Sequence, residues 1–409
     1  MKKAIVIGGG ISGLCVSYFL KNKFELLLLE QNDYIGGHSH THTISENNKL
    51  FNFDSGFIVF NNLNYQNYIK VLEENNVEYE KSNMSFSVIN DEENYEWAGK
   101  NIKTIFDLSN IFTLRYWKVL AGIVKLNLII KTKKQTNNSI TVDQFLRNHH
   151  FNDEFINLYF LPMCSSIWSS NFQDIKNYGA KFVINFFENH GLCNILKKRP
   201  IWMTIKNGSS QYVKKIVSTI GEDNCILNSE VINIDQDNKI VKCSNDKEYK
   251  YDILISCIHT DQAKKIIKNL TKNQEKLLDM VNYKTNNIVI HSDEKIMPNK
   301  LSNWSSWNYR YQSKNLILTY WMNLLQNLKL RKNIFVTLNY DKINKEKIIK
   351  KLSYRHPVFK YDKEELKKQN EITSGENHIY FAGAWLGYGF HEDGVKSAIE
   401  VFKKLDVEK

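Results

Sequence analysis

The chain has 409 residues, enough for two or three domains with sizeable cores, and its 42% hydrophobic and 24% charged content is ordinary for a globular protein. Its net charge of +11 comes from lysines scattered along the whole length, with no compact basic block, so nucleic acid is not an expected partner and a solvated basic surface is. No uninterrupted apolar run reaches the length needed to span a membrane.

The opening residues MKKAIVIGGG imitate a secretory signal for seven positions before glycine cuts the apolar run. The six cysteines, Cys15, Cys164, Cys193, Cys225, Cys243 and Cys257, form no CxxC pair and no metal-ligand spacing. Free thiols in a reducing cytoplasm are therefore expected, and no metal site.

Residues 4–30 predict a strand (Ala4 to Ile7), a glycine turn, a helix (Ser12 to Lys21) and a second strand (Glu25 to Glu30). The turn carries Gly8, Gly10 and Gly13 in the GxGxxG pattern: a tight turn, a close backbone approach to pyrophosphate, and helix–strand packing. Ile11 and Ser12 open the helix, whose free N–H groups and partial positive charge favour phosphate. Glu30 ends the second strand 20 residues after Gly10, followed by Gln31, where an acid can accept from ribose hydroxyls. A dinucleotide site is the reading.

The run EQNDYIGGHSHTHT then places Gly36, Gly37 and His38 together, and Asp54-Ser55-Gly56 forms a turn after the strand-like FNF. For Asp54 alone a simple Asx turn is the competing reading. The stretch from Ile111 to Ile130 is apolar at helical spacing but carries Arg115, Lys118 and Lys125. A buried amphipathic helix is the first expectation, and a helix lying on a membrane or lining a lipid entrance the second. Further helical stretches rich in aromatics fill the span from Phe57 to Arg199. Gly208-Ser209-Ser210 open a helix expected to end at Lys214-Lys215.

Residues 229–243 alternate as a hairpin turning at Asp235–Asn238, and Tyr251 to Ile267 reads as a buried strand, a turn and a helix that rejoin the first sheet. NIVIHSDE, LILTYWMN and NIFVTLNY are further strands. Near the end, HIYFAGA is a β-run reaching Gly383. A helix follows whose first turn holds Glu392, Asp393, Gly394 and Val395.

Taken with the acid after the second strand and the Gly-Gly-His triplet, this layout resembles the flavoprotein superfamily of amine oxidases and phytoene desaturases. The resemblance runs over almost the whole chain, although most members carry Arg where this chain has His38. It implies FAD as cofactor. Gly37 and His38 would lie near the flavin phosphates, Asp54, Ser55 and Gly56 alongside the isoalloxazine, and Val231 would pair its backbone with adenine. The C-terminal helix N-terminus, Asp393 to Val395, would point at the pyrimidine side of the flavin, an effect worth roughly 0.3–1 kcal/mol per charge. The implied fold is α/β: a discontinuous Rossmann-like FAD-binding domain (1–60, 201–268 and 372–409) plus a substrate domain of helices and an antiparallel sheet (61–200 and 269–371), amine-oxidase-like.

YFLPMCSSIWSS, NWSSWNYR, LTYWMNLLQNL, FVTLN, YRHPVF and FAGAWLGYGFHEDG look like one narrower bacterial branch of NAD/FAD-binding flavoproteins. That branch is often encoded beside cyclopropane-fatty-acid-synthase-like methyltransferases. It implies a lipid or fatty acyl substrate, a lipid methyltransferase partner, and peripheral contact with the inner membrane face. Trp168, Trp304, Trp307, Tyr320, Trp321, Trp385 and Tyr388 would line an apolar path, the competing reading being plain core. Only six of the 55 basic residues are arginine, so Arg115, Arg310 and Arg355 either serve bidentate recognition of carboxylate or phosphate or are simple leftovers.

The chemistry implied is hydride transfer between flavin N5 and a substrate carbon, with a second proton handled by Tyr388 or His391, and Glu392 in reserve. His391 also suits a cap or supporting hydrogen bond. Two other readings stay open: an amine or amino-acid oxidase, disfavoured because no lysine near N5 is identifiable, and a non-redox isomerase or accessory role.

Overall fold

The structure is a computed structural model describing residues 1–98, 112–132, 140–168, 170–189, 200–312, 315–358 and 363–407. Cys193, Ser169, Phe359 and the tail of the helical span to Arg199 lie outside the described residues.

Strand β1 (Lys3–Ile7), helix α1 (Ile11–Leu20) and strand β2 (Glu25–Leu29) form the first unit, and a hairpin of β3 (Thr41–Glu46) and β4 (Lys49–Asp54) follows. Strands β5 (Cys225–Ile226), β6 (Ile253–Ser256) and β7 (Ile379–Phe381) come from distant parts of the chain. Together they build one sheet in the order β5-β2-β1-β6-β7, parallel at every pairing. Side chains of a strand alternate between faces. Ala4, Val6, Leu26, Leu28, Ile253 and Ile255 accordingly join one core, and Ile5, Ile7, Leu29 and Leu254 another. The first core is covered by α1, by a helix at Ser210–Ile220 and by the C-terminal helix; the second by the three-stranded sheet of residues 231–250.

The other large sheet has seven strands, running spatially from Ile348–Val358 through Asn282–His291, Phe335–Leu338, Asn315–Trp321 and Trp307–Gln312 to Phe86–Asn90 and Tyr95–Ala98. Its pairings are antiparallel except that Phe86–Asn90 runs parallel to Trp307–Gln312. Those two N-terminal strands fall where helices alone were expected. An apolar run as short as FSVI carries no period long enough to separate strand from buried helix.

Helix α2 (Gln66–Glu74) and helix α3 (Leu114–Lys131) lie in the segment between the sheets' strands. The helix opened by Ser210, α4 (Ser210–Ile220), continues past Lys215 because Ile216 and Ile220 bury in the first core. The last helix is α5 (His391–Val407). Among the described residues no helix is long and apolar enough to cross a membrane, and no cluster of His, Cys, Asp and Glu could hold a metal.

Candidate active site

Glu30 sits just past the end of β2, and its buried carboxylate ties the glycine turn in place. Gly9 N–H donates to Oε2 (2.7 Å), and Asn32 donates to Oε1 through both its backbone N–H (2.9 Å) and Nδ2 (2.8 Å). A carboxylate offers about four acceptor positions, so capacity for a ribose hydroxyl remains. Gly36 N–H donates to Gly9 O at 2.9 Å, folding the Gly36-Gly37 pair onto the same turn. A Cβ built on Gly10 would meet nothing within 4 Å, whereas one on Gly13 would strike the carbonyl of Gly8. So one glycine leaves an open cradle above the N-terminus of α1, and the other lets the helix pack. Ser229 N–H donates to Glu30 O (2.8 Å), bringing buried Val231 to this edge, while Gln31 is exposed.

The N-terminus of α5 meets that of α1. A Cβ on Gly394 would lie 2.7 Å from Ile11 and 2.9 Å from the Ser12 hydroxyl, so only glycine lets the two helix starts abut. Asp393 accepts from Tyr388 N–H (2.9 Å) and Phe390 N–H (3.1 Å), and burial holds its carboxyl above the usual range. Gly383 N–H donates to Ser397 Oγ (2.9 Å), and Val395 is fully buried between the helices. Two helix N-termini thus converge on the open space over Gly10, with a buried carboxylate beyond it. This arrangement fits a dinucleotide carrying a pyrophosphate.

Glu392 faces away from that space. Its carboxylate accepts from the Asn67 side-chain Nδ2 (2.6 Å) and from Asn67 N–H (3.3 Å) and Tyr68 N–H (2.9 Å), two orphan backbone donors in the first turn of α2. His391 is buried, with its ring stacked on Phe57 at 3.4 Å between centroids and Nε2 bonded to Ser39 Oγ (2.8 Å) and Tyr212 OH (3.2 Å). Burial, helped by neighbouring His38, pushes its pKa well below the usual value and disfavours the protonated ring.

Asp54 is a structural hub. Its buried carboxylate accepts from Ser209 N–H (2.9 Å), Ser209 Oγ (2.6 Å), Thr41 Oγ1 (2.6 Å) and Gln326 Nε2 (2.7 Å), joining β4, β3, the start of α4 and the connection between Asn315–Trp321 and Phe335–Leu338 of the large sheet. Burial raises its pKa despite those bonds. Ser55 bonds Tyr354 OH (2.6 Å), and Phe57 N–H donates to His38 O (2.8 Å) across the close approach at Gly56.

Tyr388 occupies the join between the dinucleotide site and the helical region. It packs on Phe182 (4.9 Å) and Phe186 (5.6 Å), and the neighbouring Phe390 stacks on Phe186 (5.4 Å). Burial, with Asp393 adding, pushes the phenol up to about 12, so it carries its proton at neutral pH. The Lys363 ammonium lies over the Tyr388 ring, 3.8 Å from its centre, and burial lowers the lysine pKa. Nothing in the sequence singles out Lys363, one lysine in the polar run KEELKK; only the fold brings it to the aromatic loop.

A histidine cluster escapes the motif reading, although HSHTHT shows it. His40, the residue before β3, and His42, the second residue of β3, lie side by side, while His38 sits in the preceding turn. His40 and His42 rings lie 4.3 Å apart, and His40 Nδ1, Tyr354 OH, Ser55 Oγ and His42 Nε2 form a continuous hydrogen-bonded chain. They face a cleft of about 300 Å³ that also holds Lys350. His38 is 5.1 Å from Tyr354 and from His356, and 6.4 Å from His259. Among the described residues its Nε2 is buried without a hydrogen-bond partner, as a ring awaiting an acceptor or donor from a bound molecule would be.

The three singled-out arginines fork onto carboxylates of their own chain. Arg310 is bidentate to Asp91 (2.8 and 2.9 Å), Arg355 to Asp261 (2.5 and 3.3 Å), and Arg115 pairs with Glu93 (3.0 Å). Of the aromatics expected to line an apolar path, Trp168, Trp304, Tyr320 and Trp385 are core.

The family model of flavin-containing amine oxidoreductases matches residues 11–323. No curated protein matches the chain. Among solved structures, reduced UDP-galactopyranose mutase is 15% identical with a TM-score of 0.69, covering 100% of this chain and 96% of its own. The CLA-producing fatty acid isomerase from P. acnes is 13% identical (TM-score 0.67, 98% of each chain). Wild-type putrescine oxidase bound to putrescine is 11% identical (TM-score 0.70, 99% of each chain). At these identities the likeness is one of fold, shared by proteins that act on a sugar nucleotide, a fatty acid and a diamine.

Proposed function

Because the chain belongs to the family of flavin-containing amine oxidoreductases, we propose that this FAD-dependent oxidoreductase acts on the acyl chain of a lipid or fatty acid. FAD, when bound, supplies the two-electron acceptor or donor. The residues that would hold it are those around the open cradle: Gly8, Gly10, Ile11, Ser12 and Gly13 at the phosphates, Glu30 at the ribose, Val231 at the adenine edge, and Asp393 to Val395 at the far end.

The observation that carries the acyl reading is Lys363 on Tyr388. A protonated amine arriving at this aromatic loop would meet a cation already seated on the ring face, and two like charges repel strongly where water is partly excluded. A carboxylate would be attracted to the same ammonium while its alkyl chain lay along Tyr388, Phe390, Phe182 and Phe186. The protonated phenol of Tyr388 can donate a hydrogen bond or a proton but cannot serve as a base at neutral pH. His391, oriented by Ser39 and Tyr212 through Nε2, is a weak base in its buried setting and serves as a neutral hydrogen-bonding partner. Glu392 is assigned to holding α2.

The test uses the FAD-loaded protein under anaerobic conditions. Free fatty acids or phospholipids should bleach the flavin band, and primary amines should not. Lys363→Met should raise the half-saturating fatty acid concentration about tenfold and leave that of the methyl ester unchanged. Bleaching by amines with peroxide release would replace this reading with amine oxidation. Flavin inert to both would favour a non-redox role or service to a lipid methyltransferase.

A further inference from the structure

Helix α3 is apolar on both sides. Its inner face, Tyr116, Val119, Leu126 and Ile130, packs into the aromatic cluster that Tyr388 and Phe390 touch. The outer face repeats Leu114, Trp117, Ala121, Val124 and Leu128 at intervals of three and four, a single stripe about 21 Å long. Leu114 is 72% exposed, Trp117 52%, Val124 47% and Leu128 58%, and Phe112 just before the helix is 86% exposed. A helix apolar all round is ordinarily buried on all sides, and a contiguous exposed stripe of this kind marks an interaction surface. The buried amphipathic face expected from the sequence is the inner one, and the outer face is apolar as well.

Charge identifies what covers the stripe. Residues Leu114–Lys131 include Arg115, Lys118, Lys125 and Lys131 and no acid. Arg115 and Lys118 reach Glu93 and Glu154 beside the helix, Lys125 donates to His150 O, and Lys131 is exposed in the last turn. Lys133 and Lys134 follow in the sequence. Glu93 and Glu154 offset Arg115 and Lys118, so Lys125 and Lys131 carry the surplus positive charge, and pairing this face with itself across a two-fold axis would set that surplus against its own copy. An anionic surface with an apolar interior satisfies both the stripe and the cations, and tryptophan is the residue favoured at such a boundary.

We propose that α3 is a peripheral docking helix for an anionic phospholipid bilayer, with Phe112, Leu114, Trp117, Val124 and Leu128 entering the acyl boundary and the basic side chains meeting the headgroups. This surface does not depend on the substrate assignment, because docking is measured without turnover. The FAD-loaded protein should sediment with vesicles of equal phosphatidylglycerol and phosphatidylcholine, weakly with phosphatidylcholine alone, and less well at high salt. The triple variant L114S/V124S/L128S should lose about tenfold or more in partitioning. Lys131→Glu should lower binding without touching the stripe. Bromine-labelled acyl chains should quench tryptophan emission in the wild type and much less in Trp117→Phe. Flavin absorbance and circular dichroism should be unchanged in every variant, since the substituted residues are exposed. Failure of the wild type to bind, equal binding to neutral vesicles, or triple-variant binding as tight as wild type would each overturn the proposal. So would a solution dimer that the triple variant dissolves. Vesicle binding together with turnover of amines would instead overturn the lipid-substrate reading and leave the docking helix standing.

Discussion

Replacing Glu392 by alanine distinguishes a helix cap from a catalytic acid or base. In the wild type its 4%-exposed carboxylate satisfies the N–H groups of Asn67 and Tyr68 and the side-chain amide of Asn67. Alanine leaves the buried Tyr68 N–H and the half-buried Asn67 donors unsatisfied, at about 1–3 kcal/mol for each that water cannot reach. It also removes a negative charge from the start of α2, worth about 0.3–2 kcal/mol. These contributions overlap, so the expected loss is about 2–4 kcal/mol, concentrated where α2 packs on α5. Glutamine keeps an acceptor and should recover more than half. The assay is amide hydrogen exchange at residues 66–70 alongside denaturant unfolding, with turnover measured on folded protein. Exchange should quicken first in α2, and kcat should stay within about threefold of wild type for both variants. A fall in kcat of about a hundredfold or more in Glu392→Gln, with α2 protection intact, would show that the carboxylate handles a proton in the reaction and refute the capping argument.

Gly394→Val should separate the starts of α1 and α5, since even a Cβ would lie 2.7 Å from Ile11; FAD affinity should fall at least about tenfold by equilibrium dialysis while the circular dichroism spectrum persists. Asp54→Ala should cost about 3–5 kcal/mol, read as a lowered denaturation midpoint, because it leaves Ser209 N–H buried without its acceptor and strips one of the two acceptors, Asp54 and Thr204 Oγ1, from Gln326 Nε2; Asp54→Asn should cost less. Acid should destabilise the protein through its histidines. Burial and neighbouring charges depress His40 to about 4, and His42, His259 and His356 to about 3, below the unfolded value of about 6.5. The unfolded chain therefore binds more protons as pH falls from about 6.5 toward 3, and stability present above that window is lost across it. Unfolding midpoints measured from pH 7 to 4 should fall less steeply in His259→Asn and His356→Asn than in the wild type.

Elements whose function is written in neighbouring residues are legible in the amino-acid sequence alone. The strand–glycine turn–helix–strand unit with Glu30 needs only local spacing, because turn geometry, helix N-terminus and strand end all lie within residues 3–30. The parallel sheet can be anticipated from buried β-runs at 253–256 and 379–381. Side-chain partners separated by long stretches of chain cannot. Glu392 reads like an active-site acid until α2, 324 residues away at Tyr68, supplies the donors that occupy it. Arg310 and Arg355 read like ligand forks until Asp91 and Asp261 are seen beneath them. Lys363 reads as surface until the loop before α5 slides Tyr388 under it. The apolar face of α3 reads as core until the chain packs only one side of it. Local backbone geometry is set by adjacent residues through short-range sterics and hydrogen bonds. Whether a charge is paired, buried or presented depends on which distant segment arrives beside it, and that is settled by the packing of the whole chain.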